Sequence, residues 1–151
     1  MTSHRSVWTA ILLGGLIAGT IDIGAASIIF QVNPIVPLHN IAAGLIGKSA
    51  MTGGWQTAAL GLLLQWGMSL IIAAIYVFAG RFIPLLRRQW LICGILYGIP
   101  VFFVMNFVVL PLSALHVTPH FGAQMFIENM LAMMLFGLIV SYFAREESGV
   151  A

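Results

Sequence analysis

Four apolar runs, at about 7–31, 57–80, 90–110 and 124–144, dictate what this chain can become. Each holds about 20 residues or more, and at about 1.5 Å per residue a helix of that length crosses the roughly 30 Å hydrocarbon core of a bilayer. The runs are too long and too uniformly apolar to be barrel strands, so helices are the form in which they span. Only 7% of the 151 residues are charged, against about 25% in soluble domains. A chain with so little wettable surface needs a hydrophobic solvent. The expected fold is therefore an all-α integral membrane protein, one transmembrane domain over residues 1–151, with four helices and the lipid bilayer as its surroundings.

The first run follows Arg5 and contains the small residues Ala25-Ala26-Ser27, as a cleaved signal segment would. It continues through Ile28-Ile29-Phe30, however, and reads as a retained span. Orientation follows from the basic residues. Arg5, Arg81, Arg87, Arg88 and Arg145 flank one side of the four runs, and Lys48 alone falls on the other. That bias predicts both termini and the middle loop in the cytoplasm. The few basic residues sit beside apolar segments and form no patch, so nucleic acid is not an expected partner.

Small residues mark the faces along which the spans should pack. Gly15 and Gly19 make a G-x-x-x-G pair in the first run, and Gly94 and Gly98 make another in the third. Glycines at that spacing let two helix backbones approach closely. Pro100 should kink the third helix near its middle. The first outer loop, "VNPIVPLHNIAAGLIGKSAMTGGW", is long and still apolar. Asn33 can cap a short helix started by Pro34 or Pro37 and ended near Gly53-Gly54. That helix would be interfacial or re-entrant.

Within this greasy framework the residues able to do proton or ion chemistry collect in the outer half. Asp22 lies past the midpoint of the first run, Asn106 near the outer end of the third, and Glu128 near the start of the fourth. Lys48, His39, His116 and His120 lie in outer loops. A charge facing lipid costs at least about 2.5–3.5 kcal/mol on insertion scales, and Asp22 shares a helical stripe with Gly15, Ala18, Gly19 and Ala26. It should therefore face other helices, with Lys48 the one basic residue on its side and the expected partner of Asp22 or Glu128. Asp22, Lys48, Asn106 and Glu128 form the candidate pocket. Each also has a plainer role: Asp22 as a buried hydrogen-bonding group, and Glu128 as the complement of a helix dipole.

Catalytic patterns are scarce. His116 and His120 have a His-x-x-x-His spacing suited to a metal, but Pro119 between them argues against a regular helix, and no metal or cofactor is expected. "GLIGKSA" lacks the earlier glycine of a phosphate-binding loop. No Ser-His or Cys-His arrangement stands out, and the single Cys93 can form no internal disulfide.

The segment "WLICGILYGIPVFFVMNFVVLPLSALHVTP", with "SA…GG" before the second run and the basic "RFIPLLRR" loop, resembles a family of small, uncharacterised bacterial four-helix inner-membrane proteins. The likeness extends from about Gly14 to Ala144. More weakly, "GLIAG", the Trp90-to-Pro119 segment and Glu128-Asn129 resemble YagU-type inner-membrane proteins. The resemblance implies a bacterial inner-membrane location and a loose association with acid resistance, and no catalytic residues. Relatives often carry histidines in the second and fourth spans, where this chain has Gln65 and Met133. The expected function is non-enzymatic: a periplasm-facing polar pocket that binds or passes a small solute, ion or proton. The alternative is a scaffold or partner subunit whose glycine faces and apolar outer loop pack against a second copy or another membrane protein.

Overall fold

The computed structural model describes residues 7–114 and 122–145. The first long helix, α1 (Val7–Phe30), ends where Gln31 takes a positive φ of 54°. The Gln31 N–H then donates to Ile28 O and the Val32 N–H to Ser27 O, which closes the last turn with a glutamine in the position usually held by glycine. Asn33 Oδ1 accepts from the Ile35 N–H, and α2 (Ile35–Ile46) follows. The expected helix to Gly53-Gly54 is cut short. Gly47, at φ +84°, stops α2, and residues Lys48–Thr52 form a tighter turn before α3 (Trp55–Phe82). A single turn, α4 (Leu85–Arg88), leads into α5 (Trp90–Val104). A widened π turn (Met105–Val109) joins α5 to the short α6 (Leu110–Leu112), and α7 (Ala123–Arg145) completes the described chain.

Among the described residues four stretches are long and apolar enough to cross a membrane: α1, α3, Trp90–Leu112 and α7. Their surfaces fit a lipid solvent. Large apolar side chains point outward, among them Ile28 at 78%, Trp55 at 82% and Phe82 at 86% exposure, whereas much of the interior is alanine, glycine and serine. This distribution defines a multi-pass membrane protein.

Glycine sets which helices touch. A side-chain carbon on Gly15 would lie 3.0 Å from Leu70 Cα, and one on Gly19 would lie 3.0 Å from Ser69 Cβ, so α1 lies directly on α3. Gly94 and Gly98 bring α5 equally close to α7, where a carbon on Gly98 would stand 2.6 Å from Met134 Cα and one on Gly137 would stand 2.9 Å from Gly98 N. Gly14, beside Val140 and Phe143, seats α1 on α7. Helix α7 thus touches both α1 and α5, and a core of Ala10, Ala18, Ala73, Tyr76, Phe136 and Val140 fills the interior.

Helices α3 and α5 meet towards the end of the bundle that carries α4. There Tyr97 Oη donates to Ile72 O at 2.8 Å, Tyr76 Oη donates to Leu86 O at 2.9 Å, and the two rings stand 4.9 Å apart. At the opposite end α2 packs on α3, the backbone of Leu38 sitting over Gly61, and the Ala114 N–H donates to Gly44 O. The space left between α1, α2, α3, α5 and α7 is a cavity.

Candidate functional site

The cavity holds about 500 Å³ and reaches between the C-terminal half of α1, α2, the middle of α3, the π turn and the first half of α7. Its polar lining is Asp22, Asn40, Gln65, Asn106 and Asn129, set among apolar residues that include Phe30, Met68, Phe102 and Met133.

Asp22 reaches the cavity through the packing of its helix. It lies one turn beyond Gly19 on the stripe pressed against α3, so its carboxylate falls beside the α3 backbone one turn before Ser69, at Gln65. Gln65, only 6% exposed, donates from Nε2 to Asp22 Oδ2 at 3.0 Å and to Gly19 O at 3.4 Å. Trp66 Nε1 adds a bond to Thr20 Oγ1 at 3.1 Å on the same seam. The partner of Asp22 is therefore an amide on α3.

Asn106 belongs to the π turn. Its Nδ2 donates to Phe102 O at 2.9 Å, and the Leu110 N–H reaches back five residues to Met105 O. Two prolines shape this stretch. Pro100 has no N–H to give to Leu96 O, and Pro111 has none to give to Phe107 O, a carbonyl its ring would also crowd. The chain accommodates this with a wide turn, a feature frequent at functional sites. Asn129 stands opposite on α7, its Nδ2 donating to Met125 O at 2.8 Å.

Of the four pocket residues expected from the sequence, the structure brings Asp22 and Asn106 together and leaves two outside. Lys48 opens the exposed turn after Gly47 and does not line the cavity. Among the described residues no ion pair joins it to Asp22. Glu128 lies in the second turn of α7 and accepts from Gln124 Nε2 at 3.0 Å on the exposed side. The helix-dipole effect falls off within the first turn, so the plainer role proposed for Glu128 also does not apply. His39 Nε2 donates to Gly54 O at 3.3 Å, tying α2 to the start of α3. His116 and His120 fall outside the described residues, and among those described no group of three His, Cys, Asp or Glu side chains is arranged to hold a metal.

Gln65, Asn129 and Asn40 were not among the expected site residues. Gln65 had a signal: it is the one strongly polar side chain in the middle of the second span. It lines the cavity, as does Met133 on α7. The class of the protein is thus a four-span helical membrane protein with a polar cavity at one end of the bundle. Comparison with protein-family models, curated proteins and solved structures yields no match.

Proposed function

We propose that this chain is a non-enzymatic protein of a bacterial inner membrane whose cavity binds or passes a small solute, ion or proton from the periplasmic side. The observation that carries this reading is the carboxylate of Asp22 lining a cavity of about 500 Å³ with four amide side chains around it. Pockets for small ligands have this size and this mixture of apolar wall and few polar groups, and an ionisable residue inside a membrane marks a ligand or ion path by default. The basic residues put the cavity end of the bundle outside, with both termini in the cytoplasm. The resemblance to YagU-type proteins adds a link to acid-stress resistance.

The scaffold reading called for the apolar outer loop and for glycine faces free to receive a partner. Gly15 and Gly19 already receive α3, and Gly94 and Gly98 already receive α7, which favours the pocket reading. The test is access from water. Ala26 and Ala132 both line the cavity, so Ala26→Cys or Ala132→Cys, in a Cys93→Ser background, should react with a membrane-impermeant thiol reagent added outside spheroplasts. Labelling that occurs only from the cytoplasmic face, or not at all, would overturn the reading.

A further inference from the structure

The cavity does not end at its polar residues. A second compartment of about 360 Å³ adjoins it and shares Asn40, Ile41, Met68, Met105 and Asn106 with it. Beyond those shared residues its wall is largely aliphatic, with Leu45, Leu64, Val109 and Leu110. We infer that the two compartments form one site for an amphiphilic organic cation, with a single ammonium head at Asp22 and an apolar tail between α2, α3 and the π turn. This rests on reading the cavity as a binding pocket and adds the chemical class of its ligand.

The hydrogen bonds around the head group fix its sign. Gln65 Nε2 faces Gly19 O and Asp22 Oδ2, while Asn106 Nδ2 faces Phe102 O and Asn129 Nδ2 faces Met125 O. A carbonyl can only accept, so each amide's nitrogen side is determined by its partner. All three nitrogens turn back to the protein. Gln65 has both N–H groups spent on the protein and keeps Oε1, while Asn106 and Asn129 each keep Oδ1 and one further N–H, beside the second oxygen of Asp22. One carboxylate with amide oxygens beside it, and no Lys, Arg or His among the described lining residues, complements a donor that carries one positive charge. A primary ammonium offers three donors and no acceptor. Calcium takes about six to eight oxygen ligands in a close shell, which one carboxylate and a few amides spread around a cavity of about 500 Å³ do not form, and a bare monovalent ion would occupy a small part of this volume. Methionines at the junction, Met68 and Met105, adapt to tails of varied shape.

The experiment is calorimetric titration of the full chain in lipid nanodiscs, with empty nanodiscs subtracted. The probes are methylammonium, n-hexylammonium, hexanol and hexanoate. Hexylammonium should bind, hexanol and hexanoate should not, and affinity should rise by about fourfold per methylene between the methyl and hexyl ammonium ions. Asp22→Asn should weaken hexylammonium on the order of 30-fold or more, as expected for loss of one partner of a buried charge pair. Gly44 lines the second compartment, and a carbon added there would meet only Ser113 Cβ, in ordinary contact at 3.7 Å. Gly44→Leu should therefore abolish the gain with chain length. Hexanol binding as tightly as hexylammonium in the wild type would overturn the inference, whether or not Asp22→Asn folds. Absence of hexylammonium binding would overturn it as well. In either case thiol labelling at Ala26→Cys tells whether the pocket reading survives.

Discussion

The seam between α5 and α7 can be tested with one methyl group. In Gly98→Ala the new carbon would stand 2.6 Å from Met134 Cα and 2.7 Å from Met133 C. Ordinary carbon contacts need about 3.5–4.0 Å, so the helices must separate locally by roughly 1 Å, and a gap of that size forfeits about a quarter to a half of each contact's attraction. The obstructing atoms are backbone, which no rotamer change can move aside. That puts the cost at the upper end of the overpacking range, about 3 kcal/mol.

Gly67→Ala is the matched control, since nothing lies within 4 Å of a carbon added there. Both changes are Gly to Ala inside a helix, so the helix-propensity gain of about 1 kcal/mol is common to both. The difference between the two variants then isolates packing. Reversible unfolding in mixed micelles, titrated with dodecyl sulfate and followed by circular dichroism, should place Gly98→Ala about 3 kcal/mol below Gly67→Ala. The seam also sets the separation of Asn106 and Asn129, so ligand affinity should fall in Gly98→Ala while it is still folded. Stabilities of the two variants within about 0.5 kcal/mol, the scatter of unperturbed sites, would refute the close-packed seam.

Three further outcomes are expected. Asp22→Asn keeps an oxygen to accept from Gln65 and should fold like the wild type, yet lose proton or cation flux in proteoliposomes; Asp22→Leu strands the Gln65 amide and should cost about 1–3 kcal/mol in the same unfolding assay. Unchanged flux in Asp22→Asn would reduce Asp22 to a packing group. Tyr97→Phe removes the 2.8 Å bond to Ile72 O and should lower stability by about 1 kcal/mol, with thiol labelling at Ala26→Cys unaffected because the cavity lies at the other end. A periplasm-active reporter joined after Ala151 should stay silent, and full signal would invert the proposed orientation.

The spans were legible because run length alone decides them. The second run reads as 57–80 and the helix occupies Trp55–Phe82, the difference being Trp55, Gln56, Arg81 and Phe82, interfacial or polar residues that an apolar count drops but a helix retains until Pro84. The cavity was legible only in part. Asp22 and Asn106 stand out as polar groups in apolar sequence, but choosing a partner by sign alone pointed to Lys48. Partner choice depends on helix register, and register comes from the glycine contacts between α1 and α3, which place Gln65 beside Asp22. Gly47 meanwhile begins the turn that leaves Lys48 exposed. Asn129 was hidden by its charged neighbour Glu128, though it shares a helical face with Ala132, Met133 and the buried Phe136.

Why the first helix keeps a carboxylate can be asked by subtraction. Attachment of α1 to α3 needs no charge: Gly15 against Leu70, Gly19 against Ser69 and the Trp66–Thr20 hydrogen bond already hold the two helices together. A neutral asparagine at position 22 would accept from Gln65 as Asp22 does, without the penalty of placing an ionisable group at membrane depth. Even apolar replacement of both partners can be nearly neutral when shape is kept. Each cheaper solution preserves the fold and discards the same single property. What Asp22 adds to this seam is a negative charge at the edge of a cavity lined otherwise by neutral amides and apolar side chains among the described residues.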